Sequence, residues 1–282
     1  MISNSYFLKN QSYLKSRHMQ SIFPAILLMF LFIESSFSQD NFKVIKVKGI
    51  ILLKGKGTSL ETGTVFSEKE DLLFRTDDAI AAVINSHKGR LILTSNNHDL
   101  STARSNFLPS MYNIASRSGS LANLIDLRNH FSGKYVVLDK QTLILDKSNF
   151  PMDKDHFFFL SYAYKGEEIN KKLDYSGDTL IIDKRSLYTV DGNPIPNPDN
   201  TTIMLFYRKG FESVQVNKFD LIFPDTKQLK KEIQIILDEF KEKAGKEKVG
   251  EINAYVNENY GKVYRGNLIS WLESNFGLKT EK

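Results

Sequence analysis

The densest grouping of side chains able to do chemistry is Asp153-Lys154-Asp155-His156, directly ahead of an aromatic run that begins at Phe157. Two carboxylates and an imidazole so close together can bind a cation or exchange protons. The same composition also suits the solvated start of a strand. The five histidines, His18, His87, His98, His130 and His156, include no pair at ligand spacing on one helix or strand, so a His-based zinc site is not expected. Residues 191–200 offer oxygens for calcium, yet they hold three prolines and lack the bidentate Glu that closes the known loop pattern. Gly55-Lys56-Gly57-Thr58 has the composition of a phosphate loop, but Gly57 follows the lysine, the spacing from Gly49 is too long, and strand patterns flank it. No Gly-x-Ser-x-Gly elbow, dinucleotide fingerprint or His-Glu-x-x-His occurs. On these grounds no catalytic, cofactor-binding or metal-ligating residue is assigned, and no cofactor is expected.

Composition narrows the classes further. The chain has 282 residues, 41% hydrophobic and 25% charged, which is ordinary for globular protein and long enough for a substantial core. It contains no cysteine, which removes disulfides, Cys-ligated zinc, iron–sulfur clusters, thiol nucleophiles and a lipidated N-terminal cysteine. The formal charge is +5, of which Lys9, Lys15 and Arg17 against Glu34 supply +2, so a chain starting at Gln39 carries +3. A bias so small does not by itself imply a nucleic-acid partner.

The N-terminus reads as an address. Residues 22–33 are almost uninterruptedly apolar, with Lys15, Arg17 and His18 before them and Glu34-Ser35-Ser36-Phe37-Ser38-Gln39 after. A positive segment, an apolar core and small residues at a cleavage position make a secretory signal, with cleavage expected between Ser38 and Gln39. The apolar run is shorter than the roughly 20 residues a helix needs to span a bilayer core, so no permanent span is expected after cleavage. Translation from Met19 is an alternative start. A periplasmic, secreted or cell-envelope location follows as an expectation.

The elements that would position any site are mostly strands. Residues 44–49, 50–53, 65–66, 72–74, 80–84 and 91–93 are short apolar runs separated by turns, a pattern for a compact antiparallel β unit. Residues 95–120 are rich in Ser, Asn and Arg and read as a linker or long loop. Ser120 is a candidate N-cap for a short helix with Leu121, Leu124, Ile125 and Leu127 toward one side. A second β-rich stretch offers strands at 135–138, 142–145, 157–164, 180–182, 203–207 and 214–223. Phe157-Phe158-Phe159-Leu160 and Ile203-Met204-Leu205-Phe206-Tyr207 are apolar without alternation, which predicts central strands buried on both faces. The prolines of residues 191–200 predict an extended loop.

After Pro224 the period becomes helical. Asp225 is a plausible N-cap for Leu229, Ile233, Ile236, Leu237, Phe240 and Ala244, with Gly245 as the stop. Two more helices carry Val249, Ile252, Val256 and Tyr260 before Gly261, and Leu268, Trp271, Leu272 and Phe276 before Gly277. The break at Tyr260-Gly261 admits a helix-turn-helix reading. Against it, residues 226–282 hold eleven Lys or Arg and nine Asp or Glu, and Trp271, Leu272 and Phe276 read as core. The expected fold is therefore mainly β with a helical C-terminal segment, an α+β arrangement. Its parts are a signal peptide (1–38), a small β module (40–94), a linker (95–120), a β-sandwich-like domain (121–224) and about three helices (225–278).

Val47-Lys48-Gly49, Leu60 with Gly63 and Phe66, Leu72 with Phe74, Ala79, Ala81 and Val83, and Gly89-Arg90-Leu91 with Leu93 together resemble the FecR-like β module of bacterial envelope proteins. The resemblance covers residues 44–93, and Gly63-Thr64 departs from the family's usual Gly-Asp. It implies an envelope β scaffold that binds partners, without the cytoplasmic segment and transmembrane helix of FecR-type regulators and without carrying over a sigma-factor pathway. The leading expectation is an exported binding or scaffold protein whose partner is another envelope protein or an extracellular polymer, with no nucleic acid. An exported hydrolase or carbohydrate-active protein using Asp153 and Asp155, and a cytoplasmic helix-turn-helix regulator, are the alternatives.

Overall fold

The computed structural model describes residues 41–94, 121–196, 198 and 201–279, and from Asn41 onward these belong to one compact unit. The signal segment, the 95–120 stretch with Ser120 and His98, and part of the 191–200 loop lie outside the described residues.

The first seven strands are β1 (Asn41–Lys48), β2 (Ile51–Leu53), β3 (Thr58–Ser59), β4 (Val65–Ser67), β5 (Leu72–Phe74), β6 (Ile80–Asn85) and β7 (Gly89–Thr94). They make two antiparallel sheets, a four-stranded one in the order β4-β1-β6-β7 and a three-stranded one in the order β3-β2-β5. Phe42, Val44, Ala81, Val83, Leu91 and Leu93 join Ile51, Leu53, Leu60 and Phe66 in one apolar cluster. The chain passes from β1 to β2 through Gly49, whose φ is +73°. A Cβ there would lie 2.4 Å from Thr76 Oγ1 and 2.8 Å from the Ala79 Cα, so only glycine fits.

Helix α1 (Leu124–His130) follows, N-capped by Asn123, whose side chain accepts from the amides of Ile125 and Asp126. The N-cap is therefore Asn123 and not Ser120, the residue the sequence suggests. Of the four apolar residues expected on one side, Leu127 is buried, Leu121 and Leu124 pack on the core, and Ile125 is 67% exposed. Next come β8 (Lys134–Val136), β9 (Lys140–Ile144), β10 (His156–Tyr164), β11 (Glu167–Lys172), β12 (Asp174–Ser176), β13 (Thr179–Asp183), α2 (Lys184–Leu187), β14 (Thr189–Val190), β15 (Asn193–Pro194), β16 (Thr202–Lys209) and β17 (Glu212–Ile222). The last stretch is α3 (Thr226–Glu239), α4 (Gly245–Asn259), β18 (Lys262–Val263) and α5 (Arg265–Phe276).

A six-stranded sheet, β11-β10-β16-β17-β8-β18, faces a three-stranded one, β12-β13-β9. Phe158, Leu160, Tyr162, Leu205 and Tyr207 share a core with Leu143, Leu180 and Ile182 and with Leu127 and Phe131 of the α1 region. Most pairings are antiparallel, whereas β8 runs parallel to both β17 and β18. The protein is mostly β, with its longer helices toward the C-terminus: an α+β fold, as its sequence predicts.

Four expectations are corrected. Residues 191–200 do not form one extended loop: β14 and β15 close a hairpin around Asp191 and Gly192, both at positive φ, and Pro194 sits on an isolated two-strand ribbon where its missing amide is tolerated. Gly245 does not stop α3. That helix ends at Glu239, and Gly245 opens α4 after Ala244, where a Cβ would meet the Lys279 carbonyl oxygen at 2.7 Å. The Tyr260-Gly261 break is not a bare turn, because β18 follows it and pairs with β8; Gly261, at φ +130°, lets the chain pass the Lys134 carbonyl. Strands β10 and β16 are central, but only one face of each is fully buried: Phe157, Phe159, Met204 and Phe206 on the other side remain partly exposed.

The helices do not stand apart. Leu229, Ile233, Ile236, Val249, Ile252, Val256, Leu268 and Leu272 share one cluster with Ile45, Ala82 and Ile84 of the first sheet and with Val136 and Leu138 beside the six-stranded sheet. Sheet residues of β1 and β6 are consequently buried on both sides, one against the small β-sheet and the other against helices. Among the described residues, no helix is long and apolar enough to cross a membrane.

Candidate binding face

Asp153 is committed to shaping the chain at the start of β10. Its Oδ1 accepts from the amides of Asp155 and His156, each at 2.8 Å, and lies 3.0 Å from His156 Nδ1. These bonds hold its carboxyl below the usual carboxylate range, the amide of Asp155 contributing most. Lys154 lies 3.8 Å from Asp155. The cluster is thus a turn fastened by Asp153, and among the described residues no group of three His, Asp or Glu is placed to hold a metal ion. The Gly55–Gly57 turn likewise directs the amides of Lys56 and Gly57 to the Leu53 carbonyl.

His130 is half-buried beside the sandwich core, with its ring against Phe131, Tyr135 and Tyr264. Its Nε2 lies 2.5 Å from the Tyr135 hydroxyl, which also accepts from Gln141 Nε2. Burial, with Lys262 nearby, pushes its pKa down to about 3, so the ring is neutral and accepts the tyrosine proton.

A buried polar joint escaped the sequence reading. Glu232 of α3 has no exposed surface, and its carboxylate accepts from Tyr255 Oη at 2.8 Å, Tyr260 Oη at 2.6 Å and Gln228 Nε2 at 3.1 Å. Burial and the adjacent Glu232 charge push both tyrosines far above their ordinary pKa. The Lys46 ammonium sits 3.5 Å from the centroid of the Tyr260 ring, and burial lowers its pKa against the pull of Glu232. Buried Arg90 of β7 pairs with Glu258 of α4. Asn267 of α5 accepts from the Leu138 amide at 2.8 Å and donates to the carbonyls of Leu138 and Lys140. These bonds tie helix to sheet. A signal for Glu232 exists: it falls three residues after Leu229 and four before Ile236, on the apolar side of α3.

The outer face of the six-stranded sheet differs in kind. Alternation along each strand and the register across it set the residues in rows. Phe157 lies beside Arg208, and Phe159 lies between Lys172 and Phe206. Phe206 is opposite Gln215, and Met204 lies between Ser161 and Lys218. The Phe159 and Phe206 rings are stacked, 5.0 Å apart at 9°, and Lys172 Nζ stands 4.3 Å from the Phe157 centroid. At one end of this face the β16–β17 hairpin turns on Gly210, at φ +61°, and carries Phe211 with 98% of its surface exposed. The Gly210 amide donates to the Asp155 carbonyl, so the 153–156 turn and the hairpin tip form one rim. This arrangement presents apolar and cationic surface to which a partner can bind. No protein-family model, curated protein or solved structure matches the chain.

Proposed function

We propose that this chain is an exported envelope protein, periplasmic or at the cell surface, that binds a macromolecular partner and acts as a scaffold. The observation that carries this reading is the outer face of the six-stranded sheet, where Phe157, Phe159, Met204 and Phe206 stay partly exposed beside the fully exposed Phe211. Exposed aromatic clusters of this kind are costly to leave in water and mark interaction sites. The leader-like N-terminus and the FecR-like pattern of residues 44–93 support the envelope location. The joint built by Glu232, Arg90 and Asn267 suits a scaffold, since it fixes the first sheets and the sandwich to the same helices.

Fractionation of the producing cells, intact-mass measurement and sedimentation of the wild type and a Phe159→Ser/Phe206→Ser variant test the proposal. A soluble envelope species beginning at Gln39 that sediments as a complex, with the variant sedimenting as the free chain, is expected. A full-length or Met19-started chain in the cytoplasm, or equal sedimentation of the two proteins, would overturn it.

A further inference from the structure

Resting on that reading, we infer that the outer sheet face takes an acidic segment of a partner protein, one that carries carboxylates together with apolar side chains. The charges on this face are segregated. Lys172, Arg208 and Lys218 frame the aromatic rows, and no carboxylate of the described residues is paired with any of them. The two acids of the face lie just beyond the Met204–Lys218 row and are already engaged. Glu168 accepts from Ser161 Oγ at 2.8 Å and stands 3.5 Å from Asn170 Nδ2, and Asp220 accepts from Thr202 Oγ1 at 2.6 Å. Arg208 anchors itself through Nε to the Gly210 carbonyl at 2.7 Å, which leaves the other side of its guanidinium fork for a ligand carboxylate.

Ring packing favours this partner over other anionic polymers. A nucleobase or a sugar ring needs an open aromatic face to stack on. Here stacking covers one face of Phe159 and one of Phe206, and the Lys172 ammonium stands over a face of Phe157, which leaves fewer open faces for such a ring. The edge of an aromatic ring, the positive part of its quadrupole, attracts carboxylates and packs against aliphatic groups. A sheet surface with neighbouring strands about 4.8 Å apart suits an extended chain laid across it.

Fluorescence anisotropy of the full mature chain with a labelled random copolymer of glutamate and tyrosine tests the inference, with oligothymidylate and oligogalacturonate as competing probes. The copolymer is expected to bind at least tenfold more tightly than either competitor, and Lys172→Glu/Arg208→Glu/Lys218→Glu is expected to weaken it tenfold or more. Thermal unfolding of the triple variant, whose changes lie on the sheet surface, should match the wild type and so exclude misfolding. Equal copolymer binding by the triple variant, or tighter binding of the oligonucleotide or the uronate, would overturn the inference. If the copolymer fails while the cellular complex still requires Phe159 and Phe206, the acidic segment is wrong and the binding face stands. If that complex is missing, the function itself is wrong.

Discussion

At the helix joint, Glu232 is wholly buried and its carboxylate takes three donors, two of them tyrosine hydroxyls, while Lys46 lies over one of the same rings. On the outer sheet face, aromatic rings again stand beside lysine and arginine, yet the rings are partly exposed and the three cations have no carboxylate partner among the described residues. The two regions use the same residue types. They differ in whether the charges are satisfied within the chain. A buried polar group must find its partners inside, because desolvation without them costs kilocalories, whereas a surface cation can keep water until a partner replaces it. Aromatic–charge composition therefore does not identify a site; the state of the charges does.

The largest effect should come from the joint. Glu232→Ala removes the acceptor of Tyr255, Tyr260 and Gln228 and leaves buried hydroxyls without a partner, so a loss of about 3–5 kcal/mol in denaturant unfolding is expected. A loss below about 1 kcal/mol would erase the distinction between the two regions. Asn267→Ala comes next, at about 2 kcal/mol, because it leaves the Leu138 amide without its acceptor and takes a donor from the carbonyls of Leu138 and Lys140. On the sheet face, Phe206→Ser removes a half-buried ring and should cost about 1 kcal/mol of stability while abolishing the cellular complex. A stability loss as large as that of Glu232→Ala would assign the sheet face to the core.

Acid supplies a further test. The folded-state pKa of His130, about 3, lies below its unfolded value of 6.5, so the unfolded chain takes up the proton first. The His130 contribution is complete above pH 6.5 and is lost progressively as pH falls toward 3. Urea midpoints measured across that window should flatten in His130→Gln; an unchanged slope would remove His130 from the account.

Most of the fold was legible because its core strands are short apolar runs with turn residues between them, and α3 has a clean helical period with Asp225 capping the Gln228 amide. Strand β11, Glu-Glu-Ile-Asn-Lys-Lys, was not legible: it is an edge strand whose charges protect an open rim, and only Ile169 of its six residues is apolar. The unbroken apolarity of β10 and β16 predicted burial on both sides. It cannot say whether the second layer is supplied by the chain itself, and that is where the candidate face arises. Asp153 and His156 were visible as chemistry-bearing residues, but only the backbone bonds they make reveal a turn. The partners of Glu232 and Arg90 come from segments 23 and 168 residues away in the chain, which no local pattern around either residue names.

Photocross-linking in the producing cells compares the two regions most directly, with a benzophenone side chain placed at position 206 on the sheet face or at exposed position 234 on α3. The account predicts a discrete protein adduct in the envelope fraction from position 206 and none from position 234. An adduct from position 234 alone, or none from position 206 in cells that export the chain, would contradict it.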